Sequence, residues 1–265
     1  PVVFAFAHSG RNYPDHFLRR TQLDLLTLRS SEDAYVDQLF ERQFCPTAQF
    51  VHALFPRAWL DANRHPQAID PDMFHGQIHA AQQNSPQVRA GFGVIPKTVA
   101  HGRNIFSRRL DANEIEARLQ NTHTPYHRAL ETALQAAQAK FGWALLVDCH
   151  SMPGVCALRP EQEKIDIVLG DRHESTCHLQ ISQDINQAFS QQGLVVAHNA
   201  PYAGGYSIIR HGQPQARVHA IQVEISRALY MDEVQVRKHD GFAGLQQRIS
   251  KAMQMIGKIT EPCRG

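Results

Sequence analysis

The residues best placed to do chemistry in this chain are polar ones that follow short apolar runs. His8 comes directly after Val2-Val3-Phe4-Ala5-Phe6-Ala7, and Asp61, Asn63 and Arg64 follow the apolar stretch 50–55. Asp148 and His150 stand after Trp143-Ala144-Leu145-Leu146-Val147, and Glu224 lies between Val223 and Ile225. Two imidazoles, several carboxylates and an arginine from distant segments match the three protein ligands and open fourth position of a catalytic zinc site. Water in that position ionises near neutral pH, and a further carboxylate is needed to take its proton. A histidine at a strand end serves equally well as a hydrogen-bonded structural residue. Asp33 reads most simply as a carboxylate favoured by a helix N-terminus, and Arg64 as a surface ion-pair partner. Glu224 is different, because a carboxylate in an apolar strand is costly unless paired or bound. Nucleophilic catalysis is the rival chemistry. Ser9 and Ser151 each adjoin a histidine but lie in no G-x-S-x-G elbow. Cys149 adjoins His150, yet neighbouring strand residues face opposite ways, so its thiol reads as core packing.

These residues need rigid elements behind them. The run 2–7 reads as a buried strand, and Val36, Leu39, Phe40 and Phe44 follow a helical period after Ser30, Ser31 and Asp33. A second strand is expected over 50–55, closed by Pro66. Residues 66–105 carry no period and read as an excursion with one strand at Val94-Ile95, of the kind that often forms an active-site wall. A helix is expected from 111 to 141, with Gly142 as its cap. Strands at 143–147, 165–169, 194–197 and 218–225 alternate with helices at 176–191 and 242–256, and 153–164 reads as loop. Gly204-Gly205 reads as a tight turn rather than a nucleotide-binding fingerprint. The alternation predicts a three-layer α/β/α sandwich with a mixed, mostly parallel central sheet, in a single domain spanning 1–265. Ligands should then gather at the carboxyl ends of the strands.

Composition narrows the function classes. The 265 residues carry 27 Lys+Arg against 25 Asp+Glu, scattered along the chain, which predicts no nucleic-acid partner. No apolar run approaches the roughly 20 residues of a membrane span, so no membrane association is expected. The N-terminus shows no secretory pattern, and the five cysteines (45, 149, 156, 177, 263) form no CxxC pair. A cytoplasmic protein is the expectation. Sixteen histidines make an imidazole-bound metal worth seeking.

Four ordered segments resemble the N-formylglutamate amidohydrolase family. They are Ala7-His8-Ser9-Gly10, Leu60-Asp61-Ala62-Asn63-Arg64, Asp148-Cys149-His150-Ser151-Met152, and residues 199–233, which contain Gly204-Gly205-Tyr206, Arg210-His211-Gly212 and Gln222-Val223-Glu224-Ile225-Ser226. Pro125-Tyr126-His127 is also similar to a family motif. The resemblance implies a fold like the zinc carboxypeptidases and hydrolysis of the acyl amide of an N-acylated acidic amino acid, such as N-formyl-L-glutamate, within histidine breakdown. It implies His8, Asp33 and His150 as ligands of one divalent metal, with Asp37 the fallback for Asp33, and Glu224 as general base. Zinc is the expected ion, although His/Asp sites also accept cobalt, nickel or manganese. Arg64 and Arg210 are implied as grips for substrate carboxylates, since guanidinium offers two parallel donors. Asn63, Asn199 and Tyr206 are implied as pocket walls. Two other readings of the scaffold stand beside this one: a zinc amidase or carboxypeptidase-like enzyme acting on a peptide or cell-wall amide, and a non-catalytic binding protein with structural histidines. The sequence sets no oligomeric state.

Overall fold

The structure, a computed structural model, describes residues 1–78, 85–157 and 164–262. Parts of two expected loops (79–84 and 158–163) and Cys263 lie outside the described residues. The principal elements are β1 (Val2–Phe6), α1 (Val36–Leu39), β2 (Gln49–His52), α2 (Asn113–Arg118), α3 (Thr124–Phe141), β3 (Ala144–Met152), β4 (Ile167–Gly170), α4 (Leu179–Ser190), β5 (Val196–His198), α5 (Tyr206–His211), β6 (Val218–Ser226) and α6 (Gly241–Ile256). The chain forms two compact units, one of Pro1–Phe6, Tyr35–Val51 and Ala129–Gly265, the other of Ala7–Ala34 and His52–Arg128.

The first unit is built on a six-stranded sheet in the order β2-β1-β3-β6-β4-β5. β1 runs parallel to β3, β3 to β6, and β4 to β5, while β4 is antiparallel to β6. This is the mixed, mostly parallel sheet expected from the alternation of strands and helices. Every residue of β1 and β3 is buried, as a sheet covered on both faces requires. On one face, the backbone N–H of Gly205, at the start of α5, donates to the Gln222 side chain of β6. On the other, the backbone N–H of His178, which caps α4, donates to His219 Nδ1, and α4 packs on α6. Phe4 and Phe6 pack against Phe40 and Phe50 with ring centroids 5.3–6.4 Å apart. Gly142 ends α3 with φ +80°, a left-handed backbone that favours glycine.

The boundaries expected from the sequence shift in two ways that matter. β3 continues through Met152, so Asp148 and His150 lie inside the strand rather than beyond its end. The residues after Gly204-Gly205 form a helix, α5, for which the sequence offered no period because it is only six residues long.

The second unit is mostly loops and single turns around a small core. A two-residue parallel pair joins Phe74–His75 to Leu110–Asp111. The Arg118 guanidinium lies 3.6 Å from the centroid of Trp59, whose ring packs on Phe17. Val94 and Ile95 are buried but form no strand. Val94 exchanges its backbone bonds with Ala68 and Asp61 rather than with a ladder, which corrects the expected strand there. The helix expected over 111–141 is interrupted by a π-helical turn at Leu119–His123.

Gly10 shows how closely the backbone is packed behind His8. A Cβ at this position would lie 2.1 Å from the Phe55 carbonyl oxygen and 2.6 Å from that of Ala53. Gly10→Ala must therefore displace backbone, and its stability in a denaturant titration should fall by about 2 kcal/mol or more. A wild-type midpoint would show that the segment after His8 moves without cost.

Candidate metal centre

The loop after β1 places His8 between two carboxylates. Its Nδ1 lies 3.1 Å from Asp33 Oδ2, and its Nε2 lies 2.7 Å from Asp61 Oδ1. All three residues are buried. The arrangement is stitched by the backbone: the Asp33 N–H donates to the His8 carbonyl at 3.0 Å, and the Ser9 hydroxyl donates to the Asp33 carbonyl. Asp61 also accepts from Arg57 Nε at 3.0 Å and from the Asn63 N–H at 2.9 Å. Burial alone pushes the Asp61 carboxyl up, but His8, Arg57 and Arg64 outweigh it and hold the group well below the ordinary carboxylate range. Asp61 is therefore an anion, and it fixes a proton on His8 Nε2. With that proton in place, Nδ1 is the nitrogen that faces Asp33: as N–H it hydrogen-bonds the carboxylate, and as a lone pair it is a metal ligand.

β3 and β6 build the second part. Side chains alternate along a strand, and the register pairs Asp148 with Gln222 and His150 with Glu224. Four polar side chains thus share one face of the sheet, and all are buried. Asp148 Oδ2 lies 2.8 Å from His150 Nε2, which repeats the pairing of Asp61 with His8. Gln222 Nε2 donates to Glu224 Oε1 at 2.8 Å. Gln222 is itself held by the Gly205 N–H, so the Glu224 carboxylate is aimed by a chain of two hydrogen bonds.

The ligand atoms of His8, Asp33 and His150 all lie within 4.8 Å of one another. Two ligands of one tetrahedral zinc, each bonded at about 2.0–2.2 Å, sit about 3.3–3.6 Å apart. The 3.1 Å approach of His8 to Asp33 and the 4.8 Å spread of the group bracket that separation. Each imidazole also gives its Nε2 to a buried aspartate, the usual outer support of a metal-bound histidine. The donor set fits a divalent ion, and it contains Asp33 rather than Asp37.

The nucleophile readings find no support in the geometry. The Ser9 hydroxyl is spent on Asp33, Ser151 accepts from Arg227 Nε, and burial, then Asp148, pushes the fully buried Cys149 thiol far up. Among the remaining candidates, Arg64 Nε donates to the Phe92 carbonyl, and Asn63 is buried beside Asp61. Arg210 is exposed and donates to the Tyr206 hydroxyl one helical turn back. Asn199 is committed to Asp171: its Nδ2 donates to that carboxylate at 2.8 Å, and its Oδ1 accepts the Asp171 N–H. Its visible work is to shape the loop after β4. Asp61 and Asp148 are the contributors whose part the sequence did not assign, although Asp148, two residues before His150 in a strand, shares its face by period alone.

A model of the N-formylglutamate amidohydrolase family matches residues 1–231. The chain belongs to this family. Among relatives, an N-formylglutamate deformylase of Pseudomonas putida is 24% identical over 239 residues, covering 89% of this chain and 83% of that protein. One of Pseudomonas aeruginosa is 30% identical over 144 residues, which cover 53% of this chain and span only 54% of that relative's length. Among solved structures, the N-formylglutamate amidohydrolase of Ralstonia eutropha superposes with a TM-score of 0.89 at 32% identity, over 97% of this chain and 93% of that one. A gene product of Agrobacterium tumefaciens shares the fold at a TM-score of 0.64 and 18% identity, over 95% and 89% of the two chains. The described residues of this family member include no helix long and apolar enough to cross a membrane.

His211 lies at the end of α5, and the Asp148 charge reaches it. Burial first and Arg210 second lower its pKa from 6.5 to about 4, against an upward pull from Asp148. Above about pH 6.5 the imidazole is neutral in folded and unfolded chains alike. As pH falls from there to about 4, only the unfolded chain takes up the proton, so stability declines through that window by about 3 kcal/mol. His211→Asn should flatten that part of the stability-versus-pH curve. Equal slopes for the two proteins in denaturant titrations would remove His211 as the source.

Proposed function

We propose that this protein is a metal-dependent amidohydrolase that removes the formyl group, or a similar small acyl group, from an N-acylated acidic amino acid such as N-formyl-L-glutamate. The observation that carries the reading is the His8, Asp33 and His150 group with an aspartate behind each imidazole. Family membership and the names of the relatives support the substrate.

His8, Asp33 and His150 would hold a single divalent ion, with zinc the favoured occupant of two imidazoles and a carboxylate. The chemistry such an ion supplies when bound is Lewis acidity, which polarises an amide carbonyl and eases deprotonation of water near neutral pH. Asp61 and Asp148 keep the imidazoles in the tautomer that can donate a lone pair. Glu224 accepts the proton of the attacking water on one carboxylate oxygen, while Gln222 holds the other. The same carboxyl then returns the proton to the departing amine, which leaves as the free amino acid beside formate. Arg64 and Arg210 engage the carboxylates of the substrate, and Asn63, Tyr206 and Asn199 shape the walls around it.

Two measurements test the reading. Purified protein should carry close to one zinc per chain and hydrolyse N-formyl-L-glutamate in preference to short peptides; no bound metal, together with no activity when zinc is supplied, would overturn it. Glu224→Gln should keep the metal and lose about 100-fold or more in kcat, the range for removal of a general base. Undiminished turnover in that variant would take Glu224 out of the mechanism.

A further inference from the structure

The segment that carries Asp61, Asn63 and Arg64 hangs from a helix by three of its carbonyls. Arg118 Nη1 donates to the Trp59 carbonyl at 3.2 Å. His127 Nε2 lies 2.8 Å from the Ala62 carbonyl, and His123 Nε2 lies 3.0 Å from the Arg64 carbonyl. A carbonyl only accepts, so both imidazoles present an Nε2–H there. The three side chains are 3, 1 and 3% exposed, respectively, so these bonds are made away from water, where a lost partner is expensive.

The spacing of the three residues is odd for one helical face. Each residue of an α-helix turns the chain by about 100°, so positions four apart nearly align and positions five apart diverge by about 140°. His123 and His127 are four apart, with rings 4.4 Å between centroids, but Arg118 and His123 are five apart. The π-helical turn Leu119–His123 takes up the extra residue. With one more residue in that turn, Arg118 returns to the face of the two histidines and reaches Trp59, both by its hydrogen bond and by stacking. Single π turns in otherwise regular helices recur at functional sites.

We propose that the π turn serves to align Arg118, His123 and His127 along one rail, and that the two histidines are positioning residues for the metal centre. They hold residues 59–64 by the backbone, so that Asp61 stays against His8 Nε2 and Arg64 stays against the Phe92 carbonyl. The inference rests on the function proposed above, because its effect reaches the ion through Asp61 and His8.

The test compares His127→Phe and His123→Phe, which keep a ring without its N–H, with His127→Gln and His123→Asn, which keep a donor. Zinc affinity is read by competition with a chromophoric chelator, and exchange of the Asp61 and Arg64 amides by hydrogen–deuterium exchange. Each Phe variant should bind zinc about tenfold more weakly, the scale of losing an outer partner of a metal ligand, and should exchange those two amides faster. The Gln and Asn variants should recover most of both. Adding His127→Phe to Asp61→Asn should weaken zinc binding little beyond Asp61→Asn alone, since both act through one contact. Wild-type exchange at Asp61 and Arg64 in folded Phe variants, or full additivity with Asp61→Asn, would overturn the proposal. If the Phe variants do not fold, the Gln and Asn variants decide: weakened zinc binding and fast exchange despite a retained donor would overturn it. Wild-type protein that takes up no zinc would instead defeat the proposed function, and the exchange measurements would still judge the clamp.

Discussion

The pairing of each site imidazole with a buried aspartate is the constraint on which the rest depends. An imidazole has two nitrogens and, when neutral, one proton, so it presents a lone pair in a chosen direction only if the proton is held on the other side. Asp61 does this for His8, and Asp148 for His150, each against Nε2. Without those carboxylates either ring could take the other tautomer and turn an N–H, instead of a lone pair, toward the centre. The loop and the strand solve the problem differently. Asp148 comes at no extra length, because period-2 alternation puts it beside His150 on the same strand face. Asp61 must be brought 53 residues along the chain to meet His8, and so its segment needs fastening of its own.

The sheet register extends the same economy to the proposed base. Parallel pairing of β3 with β6 sets Glu224 opposite His150 and Gln222 opposite Asp148. A slip of one residue would carry Gln222 and Glu224 to the other face, where His219, Ile221, Val223 and Ile225 now point. That apolar run fixes the register, so the hydrophobic core of β6 also places the polar row. Core packing and site geometry are here a single requirement.

Much of this was readable in the residues. The strands appeared as apolar runs, and an acidic residue between Val223 and Ile225 marked Glu224 as a group needing a partner. The alternation of elements gave the mixed α/β sheet, though β3 runs five residues beyond the expected end at Val147 because its polar half carries no apolar signal. Three things were hidden for physical reasons. Asp33 looked like a helix-capping residue, because nothing local shows that its N–H will seek the carbonyl of His8. The bond between Asp61 and His8 is a contact of high sequence separation, beyond the reach of any periodicity. The π turn was invisible because Ile115, Leu119, Tyr126, Leu130 and Leu134 keep α-helical spacing along the chain, so no apolar residue marks the extra one that brings Arg118 onto the face of His123 and His127. The expected strand at Val94-Ile95 failed for the opposite reason. Two buried β-branched residues satisfy a propensity rule, but the backbone groups of Val94 are claimed by Ala68 and Asp61.

Charge balance gives an independent argument for a cation. Asp33, Asp61, Asp148 and Glu224 are all buried, and taking a carboxylate out of water costs several kcal/mol unless positive charge or hydrogen bonds compensate. Asp61 has Arg57 close by and Glu224 has the amide of Gln222, but Asp148 buries an oxygen, Oδ1, with no hydrogen-bond partner. Protonating the histidines would neutralise part of this charge, yet it would also remove the lone pairs on which the donor set depends. A divalent ion held by neutral imidazoles would supply the charge and leave both aspartates paired with Nε2–H. The carboxylates that tune the histidines and the ion the histidines would hold therefore stabilise one another, and removing either should loosen the other.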